Sequence, residues 1–220
     1  MSEILDKVIS SQQESEKSNI SMSDTVNTLL SLIRAREAEI LRLRFGLFDE
    51  KKHTLEEIGK RMSLTRERVR QLEKIAKENI RSHKNFDGII SPARKAVTSV
   101  LHEHGGLASK NKISDVLILN DEIKNYQKAL EFIVDNFIDE VKLVKNDLFD
   151  IGWYIHEDYL DLASDVINEL KRLISERDKL IHEDELVKEF EKSEYYTNKT
   201  EKFAGFLDKN ENDLQKILRS

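Results

Sequence analysis

Apolar residues recur every three or four positions along most of the chain, and that spacing predicts a mainly helical protein. Val26, Leu29, Leu30 and Ile33 share one side of a helix over Asp24 to Arg34. Ile40, Leu41 and Phe45 share one side of a second, Ala35 to Phe45, with Gly46 as its C-cap. Leu55, Ile58 and Met62 give an inner face to a third, opened by the capping box of Thr54 and Glu57. After a turn at Met62-Ser63-Leu64, Thr65 is placed to cap a fourth helix whose inward positions are Val69, Leu72, Ala76 and Ile80. Leu64 and Val69, either side of that cap, have the spacing of a hydrophobic staple.

The stretch Ser82 to Ser91 is polar and contains Gly88, and Pro92 suits the first turn of a new helix, so a linker is expected at 85–92. Val97, Val100 and Leu101 then mark a helix over Ala93 to His104, stopped by Gly105-Gly106. A short helix holds Ile113, Val116 and Leu117, and a longer one runs from Asp121 to about Asn136 with Ile123, Tyr126, Leu130, Ile133 and Phe137 inward. Two apolar runs, Val141 to Val144 and Leu148 to Ile155, joined by Lys145-Asn146-Asp147, signal a β-hairpin. Three helices followed by a hairpin is the order of a winged helix. The remainder reads as a partial second copy, with Leu162 to Ser175, Glu183 to Phe190 and Thr197 to Leu207 as its helices and Leu214 to Leu218 as a first wing strand. The expected division is an N-terminal arm at 1–23, partly disordered, a helical module at 24–84, the linker, a winged-helix domain at 93–157 and a helical repeat at 158–220. In the arm, Ile4, Leu5, Val8 and Ile9 leave open a short amphipathic helix instead.

The third and fourth helices make a helix-turn-helix, and the outward face of the fourth carries Arg66, Glu67, Arg70, Gln71 and Lys74. Arginine is the bidentate partner of guanine O6 and N7, glutamate accepts from the cytosine amino group, and glutamine meets adenine. Recognition helices present such groups from their N-terminal turns. Taken alone, the same pattern also fits a solvated helix laced with charge pairs such as Glu73 with Lys77.

Arg36 to Arg81, which includes TLEEIGKRMSLTRERVRQLE, closely resembles region 4 of primary bacterial sigma factors over about a fifth of the chain. The resemblance implies a module at 24–84 that binds the promoter −35 element in double-stranded DNA and docks on the flap of the RNA polymerase β subunit. By position, Arg66, Glu67, Arg70 and Gln71 resemble the family's base-reading residues. Arg36 and Arg44 match its phosphate-contacting arginines, and Thr65 and Lys74 complete the expected phosphate set. Arg34-Ala35 departs from the small hydroxyl cap usual there, and beyond Glu73 the helix diverges. The layout after Pro92, with HEHGGLASKNKISDVL, loosely resembles the HARE-type winged helix of the δ subunit of some bacterial RNA polymerases and of chromatin proteins.

Charge sharpens this division. The chain carries a formal charge of −6, yet 34–84 holds 15 Lys and Arg against 9 Asp and Glu, leaving 21 against 33 elsewhere. DNA affinity is therefore expected to be local and salt-sensitive, and the acidic remainder to meet protein. Cysteine is absent, which excludes disulfides and thiolate metal sites and fits a reducing cytoplasm, with the protein associated with the nucleoid. No apolar run approaches a membrane span and no signal peptide is evident.

Catalytic and cofactor motifs are missing: no H-E-x-x-H, G-x-S-x-G, G-x-x-x-x-G-K-[ST] or G-x-G-x-x-G occurs. His102 and His104, two apart on a helix, cannot chelate as an i, i+4 pair would, so no metal and no cofactor is expected. Trp153 is expected to pack within the hairpin domain rather than stack on a base, and Lys110, Lys112, Lys142 and Lys145 lie among acidic residues. A complete sigma factor needs an upstream region that melts the −10 element, and the residues before the match are expected to be too few for it. The expected role is a non-enzymatic DNA-binding regulator, with an RNA polymerase- or sigma-binding accessory protein as the alternative.

Overall fold

The computed structural model describes residues 21–48, 51–117, 123–145, 151–176 and 182–197. These form helices α1 (Met22–Ser31), α2 (Ala35–Phe45), α3 (Leu55–Met62), α4 (Arg66–Arg81), α5 (Phe86–Glu103), α6 (Lys110–Leu117), α7 (Ile123–Phe137), α8 (Glu157–Ser175) and α9 (Glu183–Glu191). Three short strands complete them, β1 (Leu107–Ser109), β2 (Lys142–Val144) and β3 (Gly152–Tyr154). The described residues divide into two compact units, one of 21–99 with 113–141, the other of 100–112 with 142–197.

In the first unit, α1 begins earlier than its periodicity predicts. Ser21 is the cap, its hydroxyl oxygen accepting from the Asp24 amide at 3.1 Å, and Met22 is fully buried. Residues 21–23 therefore belong to the helix and not to an arm, and the rest of that arm lies outside the described residues. Gly46 ends α2 at φ 65°, and its amide bonds to the Arg42 carbonyl, as a left-handed C-cap does. Arg34 stands at the start of α2 with no side-chain cap bond. Ile40, Leu43, Ile58 and Val69 form the core of the α2–α3–α4 unit, with Leu55, Met62, Leu64 and Leu72 packed against it. Leu64 and Val69 thus meet in one cluster, as the staple spacing predicts.

The expected linker at 85–92 is a correction. A turn at 82–85 leads straight into α5, which runs through Pro92 without interruption. Proline inside a helix costs roughly 3 kcal/mol. Phe86, Ile90, Ala93, Ala96 and Val97 recur at helical spacing across it and are all buried. At about 1.5–3 kcal/mol for each large apolar side chain buried, that face outweighs the lost hydrogen bond. The division of the chain accordingly falls after residue 99, within α5, and not at the proline.

Helix α7 packs along α1, and its Phe132 ring lies 4.9 Å from Phe45 of α2. Phe137 stands edge-on to Phe132 and to Phe86. Tyr126 donates its hydroxyl to the Leu117 carbonyl at 3.1 Å, and burial pushes its pKa up to about 12.

In the second unit the three strands form an antiparallel sheet in the order β1-β3-β2. Leu143 pairs with Trp153 in register, which places the predicted hairpin as expected; residues 146–150 of its turn lie outside the described residues. Strand β1 is not legible in the periodicity, since three residues show no alternation. Gly105-Gly106 ends α5 with φ 71° and 82°, and a Cβ on Gly106 would strike the Tyr159 ring at 2.4 Å. Leu107, Val144, Tyr154 and Ala163 make one cluster, and Leu162, Val166 and Phe190 another with Leu170, Leu173, Tyr195 and Tyr196. Helices α8 and α9 cover the first two helices of the expected repeat, while Thr197–Leu207 extends beyond the described residues and Leu214–Leu218 lies wholly outside them. No helix among the described residues is long and apolar enough to cross a membrane.

Candidate nucleic-acid interface

The angle between α3 and α4 is set by local chemistry. Thr54 accepts from the Glu57 amide at 3.2 Å while Glu57 accepts from the Thr54 amide at 2.7 Å, so the capping box is complete. That backbone hydrogen bond holds the Glu57 carboxyl below its ordinary pKa. Ser63 closes α3 in the left-handed conformation, φ 55°, and the Leu64 amide returns to the Gly59 carbonyl at 2.8 Å. Gly59 is required here, because a Cβ on it would lie 2.7 Å from the Leu64 carbonyl oxygen. Sequence reading passed over this glycine, although a lone glycine in a helical pattern signals a close backbone approach. Arg36, from α2, donates to the Met62 carbonyl at 3.3 Å and ties the turn from outside.

Thr65 caps α4 by accepting from the Arg68 amide at 3.1 Å. The first two turns of α4 then present Arg66, Glu67, Arg70 and Gln71, all exposed, with Lys74 one turn further. Glu67 and Arg70 form a two-pronged pair, with contacts of 2.8 and 2.7 Å. Gln71 donates to Glu67 at 3.4 Å and accepts from Arg68 at 3.3 Å, so Glu67, Arg68, Arg70 and Gln71 form one chain of contacts on the surface. The Arg70 hydrogen bond depresses the Glu67 pKa, and Glu67 in turn raises that of Arg70. Arg66 has no hydrogen bond or ion pair among the described residues. The face thus offers a carboxylate acceptor flanked by guanidinium donors, the groups needed to meet base edges.

The expected phosphate contacts divide. Arg36, Thr65 and Lys74 are exposed, whereas Arg44 is half-buried, donating to the His53 carbonyl at 3.2 Å and lying 3.5 Å from Glu73. Beyond Lys74 the charges of α4 are matched within the protein. Lys74 faces Glu78 at 3.7 Å, Lys77 holds Glu73 at 2.7 Å, and Arg81 pairs with Asp139 at 2.8 Å. Positive charge without an internal match is therefore concentrated toward the N-terminal turns. Glu37 is a buried carboxylate that periodicity did not single out; it accepts from Asn79 at 3.3 Å and links α2 to α4.

In the second unit Trp153 is 1% exposed, with the Lys110 ammonium 4.7 Å from its ring, and Lys142 meets Glu157 at 3.2 Å. Trp153 has no free face for a base. Among the described residues no three His, Asp or Glu side chains converge as metal ligands.

Comparison with known proteins agrees with this geometry. Residues 29–82 match the family model described as Sigma-70, region 4. The chain is 45% identical over 58 residues to "RNA polymerase sigma factor SigA4" of Synechococcus elongatus, covering 26% of this chain and 19% of that protein. It is 48% identical over 58 residues to "RNA polymerase sigma factor RpoD" of Helicobacter pylori, covering 26% of this chain and 9% of the relative. The chain thus spans less than a fifth of the length of these relatives. No solved structure matches it. The described protein is mainly helical and carries a sigma-70 region 4 helix-turn-helix in 29–82.

Proposed function

We propose that the chain is a transcriptional regulator whose α3–α4 unit reads a −35-like element in double-stranded DNA, docks on the RNA polymerase β flap, or does both. The observation that carries the reading is the exposed set Arg66, Glu67, Arg70 and Gln71 on the first turns of the second helix of a region 4 module. Major-groove readers present base-contacting groups from that position. Arg36, Thr65 and Lys74 border the face as phosphate contacts, and Arg44 supports it from behind. The pairing of Glu67 with Arg70 does not oppose base reading, because an exposed ion pair exchanges readily for a bidentate base contact.

The order helix, strand, helix, helix, hairpin along the chain from α5 to β3, with β3 central in the sheet, is the winged-helix order and supports a likeness to the HARE type in sequence order, while α7 itself belongs to the first unit. Its acidic surroundings favour a protein partner over DNA. We read the protein as a binding protein without a catalytic step, acting in the cytoplasm at the nucleoid. A second reading is an RNA polymerase- or sigma-binding accessory protein in which α4 no longer reads sequence. The acidic excess outside 34–84 favours it.

Affinity of the full chain for duplexes with matched and scrambled −35 elements separates these. Arg66→Ala or Arg70→Ala is expected to lose about ten- to hundredfold on the matched duplex and little on the scrambled one. Equal losses on both would remove the base-reading role. Retention of purified polymerase with no DNA affinity at low salt would establish the second reading.

A further inference from the structure

We infer that Arg68, which lies outside the expected base-reading set, is a positioning residue: together with Glu67 it holds the side-chain amide of Gln71 in one of its two orientations, and so makes that glutamine select adenine over guanine. The inference rests on the base reading proposed for α4 and names a specificity determinant within it.

Helix geometry sets up the contact. Side chains three and four residues apart on an α-helix are neighbours, so Gln71 stands beside both Arg68 and Glu67, one turn nearer the start of α4. One neighbour accepts and the other donates, and each meets the matching end of the amide. Gln71 Nε2 donates to the Glu67 carboxylate at 3.4 Å, while Gln71 Oε1 accepts from the Arg68 guanidinium at 3.3 Å. Turning the amide over would set Nε2 against a guanidinium and Oε1 against a carboxylate, donor to donor and acceptor to acceptor. Arg68 is exposed, and its guanidinium makes no other hydrogen bond or ion pair among the described residues. Arg70, by contrast, is occupied with Glu67 through two contacts. The Thr65 hydroxyl accepts from the Arg68 backbone amide at 3.1 Å, which fixes the turn from which the guanidinium reaches.

The consequence is chemical. Each end of the amide keeps a second site, an N–H on Nε2 and a lone pair on Oε1. The held glutamine therefore presents a donor on the Glu67 side and an acceptor on the Arg68 side. Adenine offers the complement in the major groove, N7 as acceptor and the N6 amino group as donor. Guanine offers N7 and O6, both acceptors, so Oε1 would face O6. A glutamine free to turn would bring Nε2 to O6 and tolerate guanine. Arg68 thus adds rejection of guanine without itself touching a base.

Two measurements on the full chain test this. In the DNA-free protein, followed by heteronuclear NMR, Arg68→Ala should move both side-chain amide protons of Gln71 toward the shifts of an unstructured glutamine. In binding, the −35 duplex is varied by replacing each adenine in turn with guanine. The wild type should reject guanine at one of these positions. Arg68→Ala should reduce that rejection about three- to fivefold, leave the other positions unchanged, and have no such effect in a Gln71→Ala background. Arg68→Lys, which keeps a donor and the charge, should retain the rejection. The inference is overturned if Arg68→Ala weakens binding to all the duplexes alike and equally in the Gln71→Ala background, as a direct phosphate contact would. It is overturned too if the Gln71 amide of the free chain does not respond to Arg68→Ala. A wild type that binds matched and scrambled duplexes equally overturns base reading and this inference with it. That result is distinct from loss of the Arg68 role alone, in which the wild type still discriminates.

Discussion

Gly59 and Gly88 lie in helices of the first unit, and alanine at the two positions should shift stability in opposite directions. In a helix interior alanine is favoured over glycine by about 1 kcal/mol. At Gly88 an added Cβ meets no atom within 4 Å, so Gly88→Ala should retain a gain of about 0.5–1 kcal/mol. At Gly59 the Cβ would lie 2.7 Å from the Leu64 carbonyl oxygen, a backbone atom that cannot swing aside. Ordinary contact requires the two to part by roughly 0.7 Å. The Leu64 amide is bonded to the Gly59 carbonyl at 2.8 Å, so parting them pulls on the bond that closes the turn. Forced packing of this kind costs about 1–3 kcal/mol. Set against the helix gain, Gly59→Ala should lose about 0–2 kcal/mol. Urea unfolding of the full chain, followed by far-ultraviolet circular dichroism, measures both variants. Because the turn aims α4, Gly59→Ala should also weaken binding to a −35 duplex, and Gly88→Ala should not. If both alanines raise the midpoint equally and DNA affinity is unchanged, the close approach at Gly59 does not set the recognition helix.

Three further outcomes follow from the site. Thr65→Ala removes the cap of α4 and should cost about 1 kcal/mol in thermal unfolding, with Thr65→Ser restoring it. Glu67 titrates below its ordinary 4.5 because Arg70 donates to its carboxylate. Its pairing is fully present above that unfolded value and is lost as pH falls through the lower folded one. A carboxyl chemical-shift titration should find the midpoint below 4.5 and moving back up in Arg70→Ala. In DNA binding, Arg36→Ala and Lys74→Ala should each reduce the slope of log affinity against log salt by about one, if each meets a phosphate. Arg44→Ala should reduce the slope less and lower stability, since its guanidinium is held by the His53 carbonyl and Glu73.

The features legible in the sequence are those whose partners lie within a turn or two. The Thr54–Glu57 box, the Thr65 cap, the Gly46 and Gly105-Gly106 stops and the inner face of α4 all rest on short spacings. Features that depend on distant partners were not legible. Strand β1 is three residues long and exists only because β3, beyond α6 and α7 in the chain, pairs with it. The burial of Glu37 depends on Asn79, and the half-buried place of Arg44 on Glu73. Pro92 misleads for a related reason: its local preference is for a helix start, and only the burial of Phe86 and Ile90 before it shows the helix already under way. The early start of α1, capped by Ser21, rests likewise on the burial of Met22.

The same distinction bears on how the protein is to be dissected. The region 4 match begins at Leu29, seven residues into α1, beyond the Ser21 cap and the buried Met22 and Val26. Cutting at the match would remove the cap, worth about 1 kcal/mol, and half of the apolar face of α1. It would also remove α7, leaving Phe45 and Leu30 without cover. Such a fragment would expose apolar side chains that α7 covers in the full chain, and a peptide it captured there would report the cut rather than the protein. Base reading rests on the first two turns of α4 and can be tested by single substitutions in the full chain, where the face under α7 stays closed.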